Sequence, residues 1–178
     1  MNPTPLAITG LSGAVLSDDR RHRLWLWRIW DRSLPILVTC MLNPSDADER
    51  TDDRTITRLC GFATRWGFGG VLVINQHSIR TPSPSIMREA AARGQSRCAG
   101  QAAAVEQAIA LAREQGTPLL CAWGAGSTPA DEATILEAAG GLPLICLGLT
   151  KSGAPKHPLA RGRHRVPDDQ QPLPFLPI

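Results

Sequence analysis

The sequence predicts an α/β fold, a three-layer sandwich with a central four-stranded parallel sheet plus an N-terminal strand pair. Four short apolar runs carry this prediction, at 35–42, 70–75, 118–124 and 142–149. They are continuous rather than alternating, which is typical of parallel strands buried on both faces. Helical segments separate them, and right-handed crossovers place helices on both sides of the sheet. The 178 residues, 43% of them apolar, favour one domain over 1–178 with its core at about 13–165.

Strand and turn signals precede the first core strand. Residues 13–30 contain RLWLWRIW, in which charged and bulky residues partly alternate, and SDDR supplies a turn. The tryptophans of this pair, Trp25, Trp27 and Trp30, are expected to fill the core or to cover a sheet edge. At the other end of the chain, the proline-rich tail 166–178 is expected either as an extended strap or as a frayed end.

Three segments have the 3.6-residue periodicity or composition of helices: 53–66, 97–115 and 130–139. In the first, Asp52 or Asp53 is the expected N-cap, because a short acidic side chain accepts hydrogen bonds from the free N–H groups of a first turn. The second is rich in alanine. The third begins with acids, which a helix N-terminus prefers.

Composition excludes several classes of protein. No apolar run approaches the roughly 20 residues of a membrane span, and residues 1–10 lack the basic start and apolar core of a signal peptide. A cytoplasmic location without membrane contact is therefore expected. The five cysteines form no CxxC pair, so no metal centre and no cofactor is expected. Cys40, Cys121 and Cys146 lie in apolar runs and are expected as buried free thiols.

Polar and small residues follow each of the four core strands. In open α/β sheets ligands bind outside the carboxyl ends of the strands, a rule that selects the loops at 43–46, 75–78, 123–127 and 150–158. Asn43 and Asn75 stand at two of these strand ends. Taken singly, each is typical of a turn that caps a strand. Taken together they favour a ligand site, because an amide offers a donor and an acceptor side by side, which suits a base edge or a water.

A dense acidic cluster, DADERTDD, follows the first core strand at 46–53. Its last two acids, Asp52 and Asp53, are expected to serve as helix caps. The alternative is a magnesium site in which Asp46 joins them, as in a metal-dependent phosphoesterase. That alternative lacks a partner histidine at a helical spacing from these acids.

A basic segment, KSGAPKHPLARGRHR, occupies 151–165 and contains five Lys or Arg residues, two histidines and no acid. Such a segment suits a phosphate or a nucleic acid, and it equally suits a solvated loop. If it binds nucleic acid, the residues expected on the phosphate backbone are Lys151, Lys156, Arg161 and Arg163.

Four strings, LNPSDADERTDDRT, RWGFGGVLVINQHSIR, CAWGAG and GAPKHPL, resemble a bacterial family known as a domain of unknown function (family 1643). The resemblance runs from about Gly13 to about Arg161. The LNPS and DD-x-T strings make it specific, and the second of them consists of Asp52, Asp53 and Thr55. The family implies no established activity, so these three residues are assigned structural or supporting roles.

The motif order also resembles, more distantly, the uracil-DNA glycosylase superfamily, in which helices flank a four-stranded parallel sheet. MLNPS is similar to its first motif, GVLVIN to the strand that ends in a base-pairing asparagine, CAWG to a later strand, and HPL to an HPS-like last motif. The resemblance implies that Asn43 positions the catalytic water and that His157 donates a hydrogen bond to the leaving base. It implies base or ligand contacts from Pro44, Ser45, Asn75, Trp123, Gly124 and Leu159.

The function implied is a nucleic-acid or nucleobase-processing enzyme that hydrolyses the N-glycosidic bond of a flipped or modified base, as in DNA repair or modification. Its expected partner is a nucleic acid or a nucleotide. Asn43 would position water rather than act as a base, because an amide takes up no proton near neutral pH. The alternative is a protein that binds or modifies a nucleotide or modified base in the same pocket without cleaving it. A metal-dependent phosphoesterase is the third hypothesis.

Overall fold

The computed structural model describes residues 8–177. Seven strands form one sheet: β1 (Ser12–Leu16), β2 (Arg23–Ile29), β3 (Ile36–Met41), β4 (Gly70–Asn75), β5 (Leu119–Cys121), β6 (Leu144–Cys146) and β7 (Leu173–Pro174). Their spatial order is β1-β2-β4-β3-β5-β6-β7. The expectation about a signal peptide at 1–10 falls mostly outside the described residues.

The four central strands, β4, β3, β5 and β6, are parallel, as predicted. The N-terminal pair, however, extends this sheet instead of standing beside it, because β2 pairs antiparallel with β4 and sets Leu26 opposite Val73. At the other edge β7 pairs antiparallel with β6. The predicted central four-stranded parallel sheet and N-terminal strand pair are thus both present, as parts of one mostly parallel sheet of seven strands that β7 completes. The physical reason is burial: Trp25, Leu26 and Trp27 are all at least 94% buried, which an uncovered hairpin cannot provide.

Residues 8–177 contain four α-helices: α1 (Arg54–Arg65), α2 (Pro84–Ala92), α3 (Gln101–Glu114) and α4 (Pro129–Ala139). Helices α1, α3 and α4 pack on the sheet, whereas Met87 and Ala90 of α2 form a small separate cluster with Ile79 and Leu42. Successive residues of each strand point to opposite faces. Leu37 and Val71 pack with α1 on one face, whereas Val38 and Leu72 pack with α3 and α4 on the other. The helices therefore lie on both sides of the sheet, in three layers.

The helix ends follow local chemistry. Asp53 caps α1, and its Oδ1 accepts from the backbone N–H groups of Thr55 and Ile56 at 2.9 Å each. Helix α3 begins at Gln101, later than the predicted 97, because Gly100 takes a left-handed conformation with φ +87°. Helix α2 was not predicted. Only Met87 and Ala90 of its nine residues are buried, so it lacks a clear apolar stripe.

The tail is a strap, and it belongs to the core. Val166 is fully buried and Phe175 is 5% exposed, so the core extends past the expected limit at 165. Trp66 Nε1 donates to the carbonyl oxygen of Gln170 at 3.0 Å, which ties the tail to the end of α1. Among the described residues there is no helix with the length and apolar content needed to cross a membrane.

Candidate functional site

The strand order reverses at β3. From β3 the chain passes through α1 to β4 on one side, and it later returns to β5 on the other side. A reversal of this kind opens a crevice outside the carboxyl ends of the two strands that flank it, here β3 and β5. The loops that leave these strands are in contact, since a Cβ built on Gly126 would lie 2.8 Å from Cδ2 of Leu42.

Asn43 is held at this crevice by its amide nitrogen. Nδ2 donates to the carbonyl oxygens of Pro44 and Thr81, at 2.9 and 2.8 Å. Because both acceptors bind the amide nitrogen, the orientation of the amide is fixed. No group within residues 8–177 donates to Asn43 Oδ1, so this oxygen can accept a hydrogen bond from a ligand at the end of β3. Ser45, two residues further on, is partly exposed.

His157 lies over the end of β5. A Cβ built on Gly124 would stand 3.4 Å from the Cβ of His157, and the Gly124 N–H donates to the carbonyl oxygen of Pro155 at 2.8 Å. The backbone N–H of Leu159 donates to His157 Nδ1 at 3.1 Å. Nδ1 is therefore an acceptor, and the proton of the neutral ring lies on Nε2.

The protonation of His157 follows from its surroundings. Burial lowers the pKa of the ring below its ordinary value, and the negative charge of Asp53 opposes this shift only in part. The ring is thus neutral at physiological pH and has one N–H to donate.

Trp123, at the end of β5, is 2% exposed. Its indole packs edge-on against Phe175 and its Nε1 donates to Glu132 Oε1 at 3.1 Å.

Asn75 ends β4 and is 1% exposed. Its Oδ1 accepts from Arg23 Nη2 at 3.3 Å, while Nδ2 is buried and has no hydrogen-bond partner among the described residues. Arg23 also donates to the carbonyl oxygen of Ala47 at 2.8 Å. Burial lowers the pKa of Arg23 to about 10, against the opposing charge of Asp53. Arg23 was not predicted as a site residue from the sequence, although a charged residue at the start of a buried strand is a recognisable signal.

The acidic cluster is engaged in structural contacts. Asp52 Oδ1 accepts from Arg28 Nε at 2.7 Å, and Asp53 caps α1 next to Thr55. Asp46 is exposed. Among residues 8–177 no three His, Cys, Asp or Glu side chains group as metal ligands.

His157 lies within the basic segment 151–165. Lys151, Arg161 and Arg163 are exposed, and none of them forms an ion pair with the part of the chain that the structure describes. Lys156 is partly buried, and its side chain lies along Gly148 at the end of β6. Exposed guanidinium and ammonium groups without an acidic partner in residues 8–177 can supply positive charge for a phosphate backbone.

A second polar cluster, around His77, was not predicted from the sequence. His77 Nδ1 lies 2.9 Å from Ser96 Oγ, and His77 Nε2 lies 3.4 Å from Asp131 Oδ2. Burial lowers the pKa of His77, and Asp131 opposes the shift. The other oxygen of Asp131 accepts from Arg97. This cluster borders a cavity of about 720 Å³ between α3 and α4, whose lining includes Gln76 but neither Asn43 nor His157.

Comparison with family models identifies one match. The family described as Protein of unknown function (DUF1643) matches residues 23–159, more than half of the chain. The matched range contains Asn43, Asn75 and His157. No curated protein and no solved structure matches the chain.

Proposed function

The chain belongs to the DUF1643 family, and we propose that it hydrolyses the N-glycosidic bond of a nucleobase that is flipped out of a nucleic acid. One observation carries the proposal. At the reversal of strand order, the neutral His157 lies over the end of β5 with its proton fixed on Nε2. Asn43 lies just after β3, and its Oδ1 accepts no hydrogen bond from residues 8–177. A donor and an acceptor are the two groups that base departure and water attack require.

The chemistry divides between these two residues. Asn43 Oδ1 accepts a hydrogen bond from a water and holds it for attack on C1′ of the sugar. The C1′–N bond breaks, its electron pair stays on the base nitrogen, and the water oxygen bonds to C1′. The proton that the water loses ends on the base. His157 Nε2–H donates to the developing base anion, and a preorganised donor of this kind contributes about 3 kcal/mol.

Charge at the site supports a polyanionic substrate. Lys151, Arg161 and Arg163 belong to the same segment as His157 and are exposed, so they can neutralise phosphates without disturbing the fold. Asn75 Nδ2 is a buried donor without a hydrogen-bond partner in residues 8–177, and it lies next to the carboxyl end of β4. These features give the uracil-DNA glycosylase-like interpretation its support.

A second candidate function has its own observation. Arg23 Nη2 donates to Oδ1 of Asn75 at 3.3 Å, so the amide is already held by the protein and Nδ2 is its unpaired atom within residues 8–177. A protein that binds a base or nucleotide without cleaving it needs no more than this.

Base release separates the two functions. Purified protein would be incubated with single- and double-stranded oligonucleotides that carry uracil, mismatched bases or modified bases, and released base would be measured by mass spectrometry. Release of a free base with an abasic product supports hydrolysis. Retention of the oligonucleotide with no base released by any substrate contradicts hydrolysis and assigns the protein to the binding class.

A further inference from the structure

Arg58 of helix α1 contacts the segment of chain that carries His157. Its Nη1 donates to the carbonyl oxygen of Pro158 at 2.9 Å, across 100 positions of sequence. Its Nη2 donates to the carbonyl oxygen of Val166 and to Oδ1 of Asp168, the latter at 2.9 Å. The Arg58 side chain is 17% exposed, so these contacts are largely shielded from water. Arg58 therefore ties α1 to the chain directly after His157.

The peptide group between Pro158 and Leu159 connects this contact to the histidine ring. A trans peptide group is planar, and its carbonyl oxygen and its N–H point in opposite directions. The carbonyl oxygen of Pro158 accepts from Arg58, whereas the N–H of Leu159, on the other side of the same plane, donates to His157 Nδ1 at 3.1 Å. One rigid unit thus joins the guanidinium group to the ring nitrogen that acts as an acceptor.

Arg58 acts on this peptide group in two ways. Its hydrogen bond fixes the rotation of the peptide plane, and thereby the direction in which the Leu159 N–H points. A cation bonded to the carbonyl oxygen also polarises the amide, which strengthens the hydrogen bond that the same amide donates. Both effects favour a ring that accepts at Nδ1 and carries its proton on Nε2.

The tautomer of His157 depends on this one hydrogen bond. Burial lowers the pKa of the ring and keeps it neutral, but burial alone does not choose between the two neutral tautomers. Within residues 8–177 the Leu159 N–H is the group that bonds the ring, and Nε2 has no hydrogen-bond partner. The orientation of one peptide plane thus decides whether Nε2 has a proton to donate.

We propose that Arg58 is a positioning residue for His157, which acts through the Pro158–Leu159 peptide group to hold the ring as the Nε2–H tautomer. The peptide group separates Arg58 from the ring, so Arg58 does not touch the departing base. The inference rests on the proposed function for the role of the donor alone, because the tautomer can be measured in the protein without a substrate.

Nitrogen-15 NMR of the histidine rings measures the tautomer directly. In the unaltered protein at about pH 7.5, where a histidine of ordinary pKa is neutral, we expect a protonated Nε2 and an unprotonated Nδ1 in His157. A scalar coupling across the hydrogen bond from the Leu159 N–H to Nδ1 should accompany them. A ring protonated on Nδ1, or the absence of that coupling, would overturn the proposal whether or not any variant folds.

Substitution of Arg58 tests its part in the arrangement. Arg58→Met keeps a side chain of similar length beside Phe62 but removes the donors, so the His157 signals should move toward a mixture of the two tautomers. Arg58→Lys keeps a cation and a donor for the Pro158 carbonyl oxygen, and it should retain more of the Nε2–H form than Arg58→Met. Unchanged ring signals in folded Arg58→Met protein would overturn the proposal.

Two control variants separate this role from a general loosening of the fold. Arg65 also belongs to α1 and stands over the same Phe62 ring, at 5.3 Å against 5.4 Å for Arg58, but among the described residues it bonds no group of the segment 151–165. Arg65→Met should therefore leave the tautomer unchanged. Asp168→Asn weakens the ion pair of Arg58 with the tail and spares the Pro158 contact, so it should do the same. A tautomer mixture in either control equal to that in Arg58→Met would overturn the proposal.

The kinetics of base release give a second test. Arg58→Met should lower kcat at least about 10-fold and leave KM nearly unchanged, because Arg58 positions the donor and does not contact the substrate. A raised KM with unchanged kcat would contradict a positioning role. Absence of base release from the unaltered protein would contradict the proposed function, whereas the tautomer of His157 would still decide the role of Arg58.

Discussion

The backbone N–H of Leu159 donates to Nδ1 of His157, at 3.1 Å. The bond links two residues of the HPL motif and decides which ring nitrogen carries the proton. The backbone N–H of Leu159, rather than its side chain, therefore fixes the tautomer of the His157 ring.

Acidification should destabilise the protein. Burial lowers the pKa of His157, of His77 and of His22 in the folded state. The unfolded chain, with a pKa near 6.5, then binds more protons, so stability is complete above that value and falls as the pH drops through it. Urea unfolding at about pH 7.5 and about pH 5.5 measures the effect, in a range where carboxylates contribute little.

The contribution of a single ring can be separated. The His157→Gln protein should show a smaller loss of unfolding free energy between these two pH values than the unaltered protein, because one of the buried rings is gone. His164→Gln is the control in the basic segment. An unfolding free energy that stays constant or rises on acidification would contradict the sign of the effect.

Gly124 should tolerate alanine worse than an ordinary left-handed glycine. Its φ is +75°, and a Cβ would stand 3.4 Å from the Cβ of His157. Gly94 has φ +67° and open space around it, so Gly94→Ala measures the conformational cost alone, about 1 kcal/mol. Urea unfolding should show a larger loss for Gly124→Ala, and base release should slow because the ring moves. Equal losses of stability would mean that His157 does not pack on this glycine.

The strands were predictable because their signal is local. Continuous apolar runs require no knowledge of distant residues, and the run at 70–75 coincides with β4. The attachment of β2 to β4 was not predictable in this way, since it depends on an edge pairing between residues far apart in sequence. Helix α2 was missed because its few buried residues give no clear periodicity.

In the candidate site, too, local sequence signals predict some residues and not others. Asn43, Asn75 and His157 could be proposed from the sequence because strand ends and motifs mark them. Arg23, which bonds Asn75 across 52 positions, and Arg58, which bonds Pro158 across 100 positions, were not predicted. Their significance lies in contacts that form only on folding, and no spacing rule contains that information.

Nucleic-acid binding should depend on the exposed arginines of the basic segment. Arg161→Gln and Arg163→Gln should each weaken binding of a single-stranded oligonucleotide and reduce the slope of log affinity against log salt by about 0.7. Fluorescence anisotropy over a salt series provides both quantities. Arg88→Gln, on exposed α2, is the control and should change neither. An unchanged salt slope in both segment variants would place the nucleic acid elsewhere.

The most direct measurement is the rate of base release by the unaltered protein and by the Asn43→Ala and His157→Ala variants, with His164→Ala as a folded control. If Asn43 holds the water and His157 stabilises the departing base, each substitution should reduce the rate by about 10²–10³-fold while His164→Ala leaves it unchanged. Release that persists at the unaltered rate in either variant would contradict the assignment of these two residues as the catalytic pair.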